Sequence, residues 1–116
     1  MMKKAVLSLV VFGFAGCASV QLPPERLEHS EAGIRSANEV GAQNVPEAKL
    51  LVQLAKDETE SAKKMAASGD EAAPSMLARA DADAELAVVL AREAQVHADA
   101  VKAGEDLKAV QNRVAP

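Results

Sequence analysis

Few side chains in this chain could do chemistry. The densest group is Asp81-Ala82-Asp83-Ala84-Glu85, with acids at alternate positions as at the opening of a calcium loop. Such a loop also needs a glycine and a bidentate acid at fixed positions, where this chain has Leu86 and Arg92. On a helix, Asp83 points away from Asp81 and Glu85, so the three acids do not converge on one ion and read as a solvated face. The two histidines, His29 and His97, fall on different helical segments, and no nucleophile and acid flank either at a catalytic spacing. His97 lies four residues after Glu93, a spacing for a surface pair. Gly41, Gly69 and Gly104 follow no strand, so they punctuate helices rather than cradle phosphate. Met65 and Met76 read as core filler. We expect no catalytic residue, no metal site and no cofactor.

The one cysteine, Cys17, has a different context. Lys3 and Lys4 precede a nine-residue apolar run, Ala5 to Gly13, followed by Phe14-Ala15-Gly16-Cys17. Nine apolar residues are too few to cross a bilayer as a helix, which takes roughly 20, but they suit the core of a signal peptide. The small pair Ala15-Gly16 before cysteine resembles the lipobox of bacterial lipoproteins, although Phe14 stands where that family usually has leucine. The resemblance implies that residues 1–16 are removed and that Cys17 is acylated through sulfur as the first mature residue. Ala18 rather than aspartate after the cysteine implies the outer membrane, with the protein facing the periplasm.

Removal of 1–16 changes the composition. The chain's two phenylalanines, Phe12 and Phe14, leave with the signal, so the mature part has no aromatic side chain. The basic residues fall by two, from 13 to 11, against 17 acidic, and the net charge moves from −4 to −6. An acidic chain without stacking platforms is not a nucleic-acid binder. No further cysteine can form a disulfide, so packing alone must hold the fold. The mature part has 23 alanines against 20 Leu, Ile and Val residues, which makes the core thin.

The elements follow from proline and glycine. Residues 17–23 form a tether, and 24–116 form a single helical domain. Helix one runs from Pro24 to about Val40, with Leu27, Ser30, Ile34, Ala37 and Gly41 on one face. Gly41 to Pro46 is a loop, because glycine ends the helix and Pro46 pushes Val45 to an extended conformation. Helix two runs from Pro46 to Ser68, with Ala48, Leu51, Val52, Ala55, Ala62, Met65 and Ala66 facing inward. Lys49, Lys56, Glu60, Lys63 and Lys64 face outward, and Glu60 and Lys64 are spaced to pair. Gly69 stops that helix and Asp70 is placed to cap the next, giving an antiparallel hairpin. Helix three starts between Glu71 and Pro74 and continues to about Asn112. The fold class expected is all-α, an antiparallel three-helix arrangement.

Helix three carries two apolar stripes. Leu77, Ala80, Ala84, Ala87, Ala91, Ala94, Ala98 and Val101 repeat at alternating spacings of three and four, a seam for close lengthwise packing. Nearly opposite lie Ala82, Leu86, Val89, Val96 and Ala100, continued past Gly104 by Leu107, Val110 and Val114. A helix with two such stripes needs two neighbours, or one neighbour and a partner protein. Helix two is the shorter, so the end of helix three should overhang, pointing away from a membrane-facing tether and turn. Leu86, Val89, Val96, Leu107, Val110 and Val114 are therefore the candidate partner-binding residues.

The motifs Gly41-Ala42, Pro46-Glu47, Leu54-Ala55, Gly69-Asp70 and Leu77-Ala-Arg-Ala-Asp-Ala-Asp-Ala-Glu-Leu resemble small bacterial lipoproteins carrying the domain of unknown function numbered 4398. That resemblance implies a helical lipoprotein and brings no activity with it. The expected function is a non-enzymatic helical adaptor, anchored in the membrane at Cys17 and binding another envelope protein. The alternative is an oligomeric periplasmic spacer like the major outer-membrane lipoprotein, although this chain ends in Val114-Ala115-Pro116 with no terminal lysine for attachment to peptidoglycan.

Overall fold

Short-range backbone signals divide the chain into helices. A computed structural model describes residues 19–115; the segment 1–16 expected to be a signal peptide, and the expected lipidation site Cys17, lie outside the described residues. Three α-helices, α1 (Pro24–Glu39), α2 (Pro46–Ala67) and α3 (Ala73–Val114), are joined by a 3₁₀ turn at Ala42–Asn44 and by the loop 68–72. Among the described residues there is no strand.

Proline opens all three helices within their first two positions, where its missing N–H costs no hydrogen bond. Gly41, at φ +88°, takes the left-handed conformation that ends α1. Val45 is extended, as the following proline requires. At the end of α2, Gly69 (φ +80°) donates its N–H to Ala66 and Asp70 donates to Met65, both to backbone carbonyls. This is the two-bond glycine stop, which satisfies carbonyls that the helix itself leaves open. Asp70 corrects one expectation. It does not cap α3; its Oδ1 accepts the Ala72 N–H at 2.9 Å and so folds the loop, while α3 begins at Ala73 without a side-chain cap. Gly104 does not interrupt α3 either, because one glycine in a long helix costs only about 1 kcal/mol.

The core is a strip of small side chains. Ser30, Ile34 and Ala37 of α1, Ala42 of the turn, and Ala48, Val52, Ala55, Thr59, Ala62 and Ala66 of α2 are buried. From α3, Leu77, Ala80, Ala84, Ala87 and Ala91 face them. Leu77, Val52 and Ser30 are the largest fully buried side chains, so the helices approach closely and each contact covers little area. A Cβ added at Gly33 of α1 would sit 3.1 Å from the Ala84 Cβ of α3, a direct measure of that approach.

The seam of α3 packs over part of its predicted length. Leu77 to Ala91 is covered, but Ala94, Ala98 and Val101 are exposed, as is every described residue from Arg92 onward. The cause is helix length. At 22 and 42 residues, α2 and α3 are roughly 33 and 63 Å long, so α3 outruns its neighbour. Val45 and Glu47, at the start of α2, line one groove with Ala94 and His97 of α3, and nothing covers α3 beyond that level.

Candidate interaction surface

The acids singled out in the sequence are spread from the core to the surface of α3. Among the described residues no group of three His, Cys, Asp or Glu side chains could hold an ion. Asp81 departs from the expected solvated face, whereas Glu85 is exposed as expected. Asp81 is buried; its Oδ2 accepts a hydrogen bond from Arg26 Nη2 at 2.7 Å, and its Oδ1 lies 3.6 Å from His29 Nδ1. The side chain follows seam residue Ala80 and is turned onto α1, which periodicity on α3 alone could not reveal.

Two further buried polar contacts hold α2 in place. Ser30 and Thr59 are 2.9 Å apart, and Thr59 Oγ1 donates to the Ala55 carbonyl at 2.7 Å, which leaves Ser30 to donate to Thr59. Thr59 could have been found in the sequence, because it completes the alternating spacing Ala48, Val52, Ala55, Thr59, Ala62, Ala66. Glu58 is also buried and pairs with Arg79 Nη2 at 2.9 Å. Burial raises the Glu58 pKa above the usual carboxylate value, the neighbouring Asp83 raises it further, and Arg79 opposes both. On the surface, Lys63 Nζ donates to Glu31 at 2.8 Å and holds that carboxyl below its usual range. Lys64 and Glu60 pair at 3.9 Å, as their spacing foretold. The Glu93–His97 pair does not form among the described ion pairs. The contacts of Asp81, Ser30, Glu58 and Glu31 join helices, while Lys64–Glu60 lies within α2.

The apolar side chains expected to bind a partner are uncovered. Leu86, Val89, Val96, Leu107, Val110 and Val114 lie along one face of α3, with fractional exposures from 47% at Leu86 to 75% at Val114. These Leu and Val side chains share one face, with Glu93 between Val89 and Val96 and only alanines, Ala100 and Ala103, at the row positions between Val96 and Leu107. Beside its packed half, His29, Ala32, Gly33 and Ser36 of α1 line a groove with Glu85, Val88 and Val89 of α3. Sequence reasoning missed this groove, because it exists only where Gly33 lets α1 settle against Ala84.

At the opposite end, the Val20 N–H donates to the Ala66 carbonyl at 3.1 Å, tying the segment that follows Cys17 to the last turn of α2. No described helix is long and apolar enough to cross a membrane. No family model, curated protein or solved structure matches this chain.

Proposed function

We propose that this chain is a lipid-anchored, non-enzymatic protein of the bacterial envelope, a helical adaptor that presents the outer face of α3 to a protein partner. The observation that carries the reading is the row of exposed Leu and Val side chains on a helix whose opposite face is packed from Leu77 to Ala91. Cys17 is the proposed anchor, supported by Lys3-Lys4, the apolar run Ala5 to Gly13 and the small pair Ala15-Gly16. Ala18 favours the outer membrane, facing the periplasm. The likeness to the 4398 family belongs to the same proposal and rests on the motifs that carry it.

Within this reading α2 and α3 form an antiparallel hairpin around 68–72, and α1 lies along both. The cross-helix pairs Arg26–Asp81, Glu31–Lys63 and Glu58–Arg79 support that arrangement. The bond from Val20 to Ala66 supports a tether that leaves beside the hairpin turn. The runner-up, an oligomeric helical spacer, is favoured by the 42-residue length of α3.

The test is metabolic labelling with palmitate, together with in vivo crosslinking from Val96. Label in the membrane fraction that is lost in Cys17→Ala, and a crosslinked protein species that disappears when 105–116 are deleted, are the expected results. Palmitate entering Cys17→Ala would overturn the anchor. Crosslinks that persist unchanged after the deletion would overturn the overhang as part of the docking surface.

A further inference from the structure

The outer face of α3 repeats with the spacing of a coiled-coil seam, and its register bears on what could cover it. From Ala82 to Val114 the positions advance by alternating four and three residues without a break. Leu86, Val89 and Val96 hold it in the first half, and Leu107, Val110 and Val114 on the overhang. Ala82, Ala100 and Ala103 take the remaining apolar places, and Glu93 is the single polar residue. We propose that the occupant is a second copy of this chain, whose α3 lies antiparallel on the first. This rests on the reading of that face as an interaction surface and identifies what covers it.

Antiparallel packing centred near Ala98 pairs each large apolar position with another. Leu86 meets the partner's Val110, Val89 meets the partner's Leu107, and Val96 meets the partner's Ala100. Glu93 then faces the partner's Ala103, beside Gly104, where there is room for its side chain to reach water. The flanking charges fit the same register. Glu85 falls beside the partner's Arg113, and Arg92 beside the partner's Asp106, each pair occurring twice by the two-fold symmetry.

Other arrangements lose this fit. A parallel dimer would bury Glu93 against the partner's Glu93, and none of its flanking contacts would join opposite charges. Sliding the antiparallel pair by one heptad in one direction sets Glu85 against Asp106, which offsets an Arg92–Asp99 pair, and in the other sets Arg92 against Arg113 and Asp99 against Asp106. The chosen register has one repulsive contact, between the two Asp99 side chains at the axis. In it, the partner's overhang lies along the exposed face beside the groove lined by Ala32, Gly33 and Val89. Both overhangs are covered at once, since each copy supplies the surface that the other lacks. The two tethers then leave from opposite ends, roughly 80 Å apart, so the anchored pair lies along a bilayer instead of standing on it.

The test uses the purified full chain carrying Cys17→Ala, so that an introduced thiol is the only one. Under oxidation, Val89→Cys mixed with Leu107→Cys should give a disulfide-linked dimer, while either variant alone should not. Sedimentation should show a dimer whose dissociation constant rises about tenfold or more when Arg92→Glu and Arg113→Glu are combined. Adding Glu85→Arg and Asp106→Arg should restore it. A crosslinked dimer from either cysteine variant alone would overturn the antiparallel register, and a monomer at millimolar concentration would overturn the second copy as occupant. The anchor is tested separately: a monomer leaves palmitate labelling untouched and assigns a Val96 crosslink to another protein, whereas a Val96 crosslink between two copies supports the dimer.

Discussion

The two halves of α3 share one periodicity and have opposite surroundings. From Ala73 to Ala91 the inner stripe is covered by α1 and α2, and alanine suffices because the neighbours come close enough for a methyl group to touch them. From Arg92 to Val114 the same spacing continues through Ala94, Ala98 and Val101, yet every residue is exposed. An alanine stripe is therefore not a packed seam until another element reaches it. The outer stripe makes the converse point. Its Leu and Val side chains remain open along both halves, because α1 and α2 supply cover on only one side of α3.

The largest expected effect tests this contrast directly. Ala87→Leu should destabilise the domain by about 1–3 kcal/mol, since a fully buried methyl contact has no room for three more carbons. Ala98→Leu, on the same stripe in the overhang, should stay within about 0.5 kcal/mol of wild type. Urea unfolding followed by circular dichroism measures both. Equal losses would show that the overhang is covered after all.

Next in size is the contact that locks α1 onto the packed half. Arg26→Ala should cost about 1–2 kcal/mol in the same assay, because it leaves the buried Asp81 carboxylate without its hydrogen-bond donor. Arg92→Ala, in the open half, should have no measurable effect on a monomer; a comparable loss there would break the distinction between the halves.

A smaller effect concerns pH. The raised Glu58 pKa means that the folded chain binds this proton more tightly than the unfolded chain. Its contribution to stability is therefore present at acid pH and is lost as pH rises from the ordinary value through the raised one. Glu58→Gln should remove that part of the pH dependence and leave a flatter profile above pH 4.5. An unchanged profile would mean that Arg79 already offsets the burial of Glu58. The smallest expected effect is that of deleting 105–116, which should leave the unfolding midpoint of the monomer unchanged while removing part of the far-ultraviolet helical signal. A lowered midpoint would show that the overhang supports the packed half.

Much of this architecture is written in local backbone chemistry. Pro24, Pro46 and Pro74 set φ and forgo a donor wherever they stand, and Gly41 and Gly69 take left-handed conformations that side chains disfavour. Helix bounds were therefore legible to within a residue or two. The alternating spacing on α2 and α3 likewise identified which faces could be buried and which Leu and Val side chains would form the outer row. The polar residues were not legible in the same way. Asp81 and Glu58 are acids on helices, and nothing local tells them from Asp99 or Glu60, which stay in water. Their burial was decided by where Arg26, His29 and Arg79 came to rest on neighbouring helices. Tertiary structure also decided where the seam stops: Ala91 and Ala94 are alike in sequence, and only the reach of α2 from its start at Pro46 covers one and leaves the other in water. Backbone preference acts within a few residues of its cause, whereas burial depends on elements distant in the chain.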